Sequence, residues 1–179
     1  MMNHPLHQFK FCPKCGSNRF VEHSFKSKHC EACGFTYYFN AAASTVALII
    51  NERGEWCVVR RAKEPALGTL DLPGGFSDMF ETSEEGVCRE VLEETGLTVE
   101  RTDFLFSLPN QYEYSGFVVH TIDMFFRCQV TTTEGARAAD DAAELLWLRP
   151  EDIHPEDFGL KSIRKGVEKL LEMYAEAAK

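Results

Sequence analysis

Two groups of residues in this chain have the types and spacing to do chemistry. The first is Arg89-Glu90-Val91-Leu92-Glu93-Glu94, in a stretch, Ser83 to Thr95, that reads as a helix stopped by Gly96. At about 100° per residue, Glu93 and Glu94 fall roughly 300° and 40° round from Glu90, so three carboxylates share one arc of about 100°. Cys88, Val91 and Leu92 are expected on the opposite side, facing a core. Carboxylates this close repel one another, by a few tenths of a kcal/mol each in water and by more when partly buried. A divalent cation removes that penalty, and oxygen-only ligands select a hard ion, Mg²⁺ or Mn²⁺. The plainer alternative is a solvated acidic face like Glu84 and Glu85. Gly74 and Gly75, just upstream, allow a metal or phosphate to approach the backbone closely, and a glycine carbonyl can be a ligand. Gly86 costs about 1 kcal/mol against Ala inside the helix, and the sequence gives no reason for it.

The second group is Cys12-Pro-Lys-Cys15 and Cys30-Glu-Ala-Cys33, two Cys-x-x-Cys knuckles with 14 residues between them. Four thiolates so spaced can close a tetrahedron around Zn²⁺, and a four-Cys site has no open position, so its expected role is structural. About 40 residues cannot bury enough apolar surface to fold unaided, and a metal supplies the difference. His29, beside Cys30, is expected to be a bystander. Lys10, Lys14, Arg19, Lys26 and Lys28 give this segment local positive charge, read as a solvated face rather than a nucleic-acid surface.

The remaining sequence has to position these groups. It has 179 residues, 44% hydrophobic, with 14 Phe, enough for one domain and a small appendage. The net charge of −9 does not suit a broad basic surface for DNA or RNA. It would also repel an anionic substrate unless bound cations invert the local field. An odd count of seven Cys argues for metal binding by the paired set rather than a disulfide framework. The longest apolar run, Val46 to Ile50, is too short to span a membrane, and the first residues lack signal-peptide character; a cytoplasmic location is expected. The composition changes at Asn40-Ala-Ala-Ala, giving expected domains 1–40 and 41–179. Strands are expected over Ser44–Asn51, Glu55–Arg61, Thr69–Leu72, Leu97–Leu108, Phe117–Val130 and Glu144–Leu148. Pro109–Gly116 and Thr131–Ala143 are expected to be loops, and Leu160–Ala178 a second helix. This irregular alternation fits an α/β fold with a mixed sheet flanked by helices.

Gly75-x5-Glu81-x7-Arg89-Glu90-Val91-x-Glu93-Glu94-x-Gly96-Leu97 resembles the Nudix box at all nine defining positions over 23 residues. Leu72-Pro73-Gly74-Gly75 resembles its usual lead-in, and the wider likeness covers roughly residues 41 to 155. The resemblance implies an α/β/α sandwich around a mixed sheet and hydrolysis of the pyrophosphate bond in a nucleoside diphosphate linked to another moiety. It implies Glu90, Glu93 and Glu94 as Mg²⁺ or Mn²⁺ ligands, with the Gly74 carbonyl as a further candidate. Glu81 would support the site and Arg89 would orient the carboxylates. Divalent cations suit such a reaction because they neutralise charge developing on phosphate oxygens. Glu94 is the first candidate for general base; Asp140, Asp141 and Glu144 are alternatives.

A zinc ribbon preceding such a domain is similar to the NADH pyrophosphatases, whose motif is Ser-Gln-Pro-Trp-Pro-Phe-Pro-x-Ser. Here the corresponding stretch is Ser107-Leu-Pro109-Asn-Gln-Tyr112-Glu-Tyr114-Ser115, which keeps Ser107, Pro109 and Ser115, replaces Phe by Tyr112, and lacks the Trp and two prolines. The expected substrate is a small nucleotide, NADH or ADP-ribose-like, releasing AMP or another nucleoside monophosphate. Gly75, Arg60, Arg61 and Lys63 are candidates to meet phosphates, and Tyr112, Tyr114 and Phe117 to stack on a base. Two other readings stand beside this one: a sensor of ADP-ribose-like ligands whose ribbon contacts nucleic acid or protein, and a nucleoside triphosphate pyrophosphatase. No membrane and no nucleic-acid partner is expected. Related enzymes are often homodimers, which the Phe-rich composition permits.

Overall fold

The computed structural model describes residues 4–177, apart from the side chain of Tyr112. The chain divides into two compact units, Met1–Ala41 and Ala42–Lys179.

The first unit holds a three-stranded antiparallel sheet, β1 (Phe20–Ser24), β2 (Ser27–Cys30) and β3 (Thr36–Tyr38), in that order. Among the described residues its buried apolar side chains are Leu6, Cys12, Phe20 and Cys30, with Phe35 packed against the last three. That is too little apolar burial to offset the ordering of some 40 residues.

The second unit has eight elements that matter to the site. They are β4 (Ala42–Ile49), β5 (Trp56–Arg61), β6 (Leu70–Asp71), β7 (Gly74–Phe76), α1 (Ser83–Thr95), β8 (Val99–Tyr114), β9 (Phe117–Val130) and β10 (Ala142–Leu148), with α2 (Lys161–Ala177) closing the chain. The strands form two sheets, ordered β7-β4-β9-β8 and β10-β5-β6. β4 runs parallel to β9, and every other pairing is antiparallel, so the larger sheet is mixed. Alternation along β4 and β9 divides the core in two, as a period of two requires. Ala47, Ile49, Phe126 and Cys128 pack with Val87 and Val91 of α1. Val46, Leu48 and Phe125 pack with Phe106 and with Ile163, Val167 and Leu170 of α2. β4 is covered on both faces over Val46 to Ile49, which explains the unbroken apolar run there. Phe106 and Phe125 stack at 4.7 Å between ring centroids. A Cβ on Gly166 of α2 would stand 2.2 Å from the Phe125 ring, so α2 docks closely because that residue has no side chain.

The longest departure from expectation is in β8. Pro109 and the residues up to Tyr114 continue β8 instead of forming a loop, pairing with β9 in register through Tyr114↔Phe117. β8 is the outer strand of its sheet, where the N–H that Pro109 lacks is not needed by a second neighbour. The turn shrinks to Ser115 and Gly116, whose φ values of 53° and 70° suit a tight hairpin matched to the strand twist. Among the described residues no helix is long and apolar enough to cross a membrane.

Candidate active site and metal centre

α1 starts from a reciprocal cap: the Thr82 hydroxyl accepts from the Glu85 N–H, and the Glu85 carboxylate accepts from the Thr82 N–H. Its buried residues include Val87, Val91 and Glu94, while Leu92 is 53% exposed. The expectation that Leu92 faces the core is therefore corrected. The inward face is centred between Val91 and Glu94, so the carboxylate arc flanks the core and its last member is driven into it. Glu94 is 7% exposed, and its Oε2 accepts the Gly74 N–H at 3.0 Å. Burial pushes its pKa up to about 8, only partly opposed by the Gly74 N–H.

Arg89 is the hub of the other carboxylates. Its Nη1 donates to Glu90 at 2.8 Å and Glu93 at 3.0 Å, its Nη2 to Glu81 at 2.8 Å and the Phe76 carbonyl at 3.0 Å, and its Nε to Glu81 at 3.1 Å. These hydrogen bonds, with that from the Asp78 N–H, hold Glu81 below its ordinary pKa. Burial pushes Glu90 up despite Arg89. The unexplained Gly86 now has a role, since a Cβ there would press to 2.9 Å from Glu81 Oε1. Gly75 does the same for Glu90: a Cβ would lie 2.6 Å from its carboxylate carbon.

The three box carboxylates are not drawn into one cluster. Among the described residues, only Cys12, Cys15, Cys30 and Cys33 bring three or more metal-ligating atoms within 4.8 Å of one another. The reason is charge: Arg89 compensates Glu90 and Glu93, and Glu94 turns to the Gly74 amide. The donor set still fits a hard divalent ion. It consists of oxygens alone, Glu94 is desolvated with no cationic partner among the described residues, and the missing Cβ of Gly75 lets the Glu90 carboxylate lie against the glycine turn.

Of the box carboxylates, Glu94 lines a cleft of about 290 Å³ between the two sheets. Gly74, Gly75, Phe76 and Glu94 line one side, Arg61 and Asp71 another, and Asn110 and Asp123 a third, with Tyr114 also on its wall. Arg61 Nη1 meets Asp71 at 2.6 Å; burial raises the Asp71 pKa, and Arg61 works against that rise. Strand alternation thus sends Arg61, not Arg60, into the cleft. Arg60 is committed to Glu144 at 2.9 Å and to the Gly68 carbonyl at 3.0 Å, which occupies both candidates elsewhere. Lys63 pairs with Asp141, which lines the cleft, and lies 3.9 Å from Asp140. Phe117 sits opposite Tyr114 at the hairpin end, and the Tyr112 side chain lies outside the described residues. The sequence reading missed Asp71, Asn110 and Asp123. A lone acid inside a short apolar strand, Leu70-Asp71-Leu72 or Ile122-Asp123-Met124, was the available signal, because a buried carboxylate needs a reason.

In the first unit, Cys12 Sγ lies 3.8 Å from Cys33 Sγ, and Cys15 Sγ 3.6 Å from Cys30 Sγ. A tetrahedron with Zn–S bonds of about 2.3 Å has sulfur edges of about 3.8 Å. Gly16 and Gly34 close the knuckles by donating to the Cys12 and Cys30 carbonyls. Burial opposes ionisation of Cys30, but the N–H groups of Cys33 and Ala32 prevail and lower it to about 6. Ser17 favours the Cys15 thiolate, but its neighbours Cys33, Cys30 and Cys12 outweigh it and raise Cys15 to about 12. Four sulfurs this close cannot all ionise without a cation among them. His29 donates to or accepts from Thr36 Oγ1 at 2.8 Å and is not part of the cluster.

The mixed sheet, the two helices and the loop-helix of carboxylates define the class. The NUDIX domain family matches residues 40–170, and the chain belongs to it. A MutT-like protein of Streptomyces ambofaciens is 32% identical over 112 residues, 63% of this chain and 66% of that one. The NAD-capped RNA hydrolase NudC of Chromobacterium violaceum is 32% identical over 102 residues, 57% of this chain and 38% of the relative. That of Vibrio cholerae is 24% identical over 152 residues, 85% of this chain and 54% of the relative. The chain thus spans about two fifths to two thirds of the length of these relatives. A NUDIX hydrolase from Nitrosomonas europaea shares the fold, with a TM-score of 0.71, 22% identity, and coverage of 91% of this chain and 90% of that one.

Proposed function

We propose that the second unit hydrolyses the pyrophosphate bond of a nucleoside diphosphate linked to another moiety, NADH or ADP-ribose-like, with Mg²⁺ or Mn²⁺. The observation that carries this is the buried, cation-free carboxylate of Glu94 fixed by the Gly74 amide at the edge of a cleft, with Glu90 beside the glycine turn. Glu90, Glu93, Glu94 and the Gly74 carbonyl would hold the cation. When bound, the ion supplies positive charge for the diphosphate oxygens and lowers the pKa of water.

The protein's own groups do the rest. Arg89 fixes Glu81, Glu90 and Glu93, so their orientation costs nothing when the substrate arrives. Gly74 uses one lone pair of Glu94 Oε2, which leaves the other for the ion and Oε1 to accept a proton from the attacking water. Asp71 on the cleft wall is neutralised by Arg61, so the pair adds polarity without repelling a diphosphate. NudC relatives named for NAD-capped RNA support a dinucleotide-type diphosphate as the substrate class. The first unit is proposed to be a structural zinc ribbon, for which the sulfur spacing is the support. The test is a panel of NADH, ADP-ribose, FAD, diadenosine polyphosphates and nucleoside triphosphates with each metal. AMP release from the dinucleotides supports the proposal; turnover confined to triphosphates, with pyrophosphate released, would replace it with the nucleoside triphosphate pyrophosphatase reading.

A further inference from the structure

The far wall of the cleft carries a polar pair that the hydrolytic chemistry does not use. Asp123 of β9 is 3% exposed, and among the described residues no Lys or Arg pairs with it. Its carboxylate is held by two hydroxyls, Thr121 Oγ1 donating to Oδ1 and Ser162 Oγ donating to Oδ2, each at 2.5 Å. On the neighbouring strand, Asn110 is 8% exposed. Its Oδ1 accepts the Gln111 N–H at 2.8 Å, while its Nδ2 has no partner among the described residues. Both residues line the cleft. Asn110 is in register with Thr121 and Leu108 with Asp123, so Asn110 and Asp123 are diagonal neighbours on one face, within reach of one planar group.

A carboxylate buried without a cation is costly unless its lone pairs are used, and each oxygen can accept a second hydrogen bond. Asn110 Nδ2 is not sealed from solvent and lies on a residue lining the cleft, so it keeps its donor capacity for a bound acceptor. We propose that Asp123 and Asn110 form a recognition site for the end of the substrate remote from the diphosphate. They would read a neutral edge on which an N–H donor stands beside an acceptor. A pyridine carboxamide and a 6-aminopurine both present this edge. The donor would go to Asp123 and the acceptor to Asn110 Nδ2. A group bearing a carboxylate there would be rejected by Asp123. The inference rests on the hydrolytic reading above and specifies what that cleft selects.

The purely architectural role, Asp123 tying α2 to the sheet through Ser162, makes a different demand. It would lower stability and all activities together, without changing preference. The test is kcat/KM for wild type, Asp123→Asn and Asn110→Ala on two substrate pairs. One pair is NADH and its nicotinic-acid analogue; the other is ADP-ribose and its hypoxanthine analogue. The wild type is expected to favour the amide or amino member of one pair by at least about 30-fold, and that pair identifies the group read. Asp123→Asn should reduce the preference below about 3-fold, because its amide can donate as well as accept. Asn110→Ala should reduce it in the same direction, and it decides the matter should Asp123→Asn fail to fold. No preference in the wild type, or equal losses on both members of each pair in the variants, overturns the proposal while leaving hydrolysis intact. Failure of the wild type to cleave any of the four would overturn the hydrolytic reading and this inference with it.

Discussion

Adjacent glycines at the start of the box should fail in opposite ways when each is replaced by alanine. At Gly75 the nearest atoms to the new Cβ are those of the Glu90 carboxylate, at 2.6 to 2.7 Å. Ordinary contact begins near 3.4 Å, so the carboxylate must retreat by about 0.8 Å. A carboxylate at the end of a flexible side chain can do so at little cost to stability. The same retreat displaces a proposed cation ligand, and misplacement by about 1 Å costs roughly 100-fold in rate, or about 2.7 kcal/mol of transition-state binding. At Gly74, where φ is 154°, the Cβ would stand 2.1 Å from the Thr45 carbonyl oxygen in β4. That strand is paired on both sides and cannot move away. Gly74→Ala should therefore cost about 3 kcal/mol or more and lower the melting temperature by roughly 10 °C. Thermal melts and metal-dependent turnover of NADH or ADP-ribose distinguish the two. Gly75→Ala within about three-fold of wild-type rate, or as unstable as Gly74→Ala, would refute the reasoning.

Glu94→Gln should cut turnover by more than about 100-fold with the fold intact; near-normal rates would remove Glu94 from its role. The raised pKa of Glu94 also has a consequence for the metal-free protein. Its ionisation costs stability that grows as pH climbs from the ordinary carboxylate range, about 4, to about 8, and levels off above. The melting advantage of Glu94→Gln over metal-free wild type should widen across that window; a constant difference would contradict it. Cys30→Ser should lose zinc and loosen the first unit while sparing hydrolysis of small nucleotides, and unchanged zinc content by metal analysis would refute the four-Cys site. Gly166→Ala gains about 1 kcal/mol of helix propensity but drives a methyl to 2.2 Å from the Phe125 ring, so its melting temperature should fall; a rise would mean α2 is loosely docked.

The elements the sequence made legible were those with one dominant period or a strong punctuation mark. α1 was bounded by Ser83 and Gly96, and the apolar run of β4 stood out at once. The extension of β8 through Pro109 was not legible, because whether a proline breaks a strand depends on which edge it occupies, and edges are set by tertiary pairing. Helical angles placed Glu90, Glu93 and Glu94 on one arc but could not say how deep each would sit. Depth follows from how α1 rolls on β4, and that roll buries Glu94 while exposing Leu92. Arg60 and Arg61 were equally basic in the sequence; only strand register decides that Arg61 faces Asp71.

The chain's −9 charge and the anionic substrate proposed for it set a problem that the cleft sharpens. Asp71, Glu94 and Asp123 all line it, and the ion pair of Asp71 already uses Arg61. Arg89 is equally committed, holding Glu81, Glu90 and Glu93. With both guanidinium groups spent on carboxylates, none of the described residues lining the cleft supplies a surplus cation for a diphosphate. Affinity for the substrate should then depend on added divalent ions more than on any single basic side chain. Arg61→Met would raise KM only modestly, whereas omission of Mg²⁺ or Mn²⁺ would abolish measurable binding of ADP-ribose by calorimetry. Tight metal-free binding would mean that the negative field of these carboxylates is quenched by something other than a bound ion.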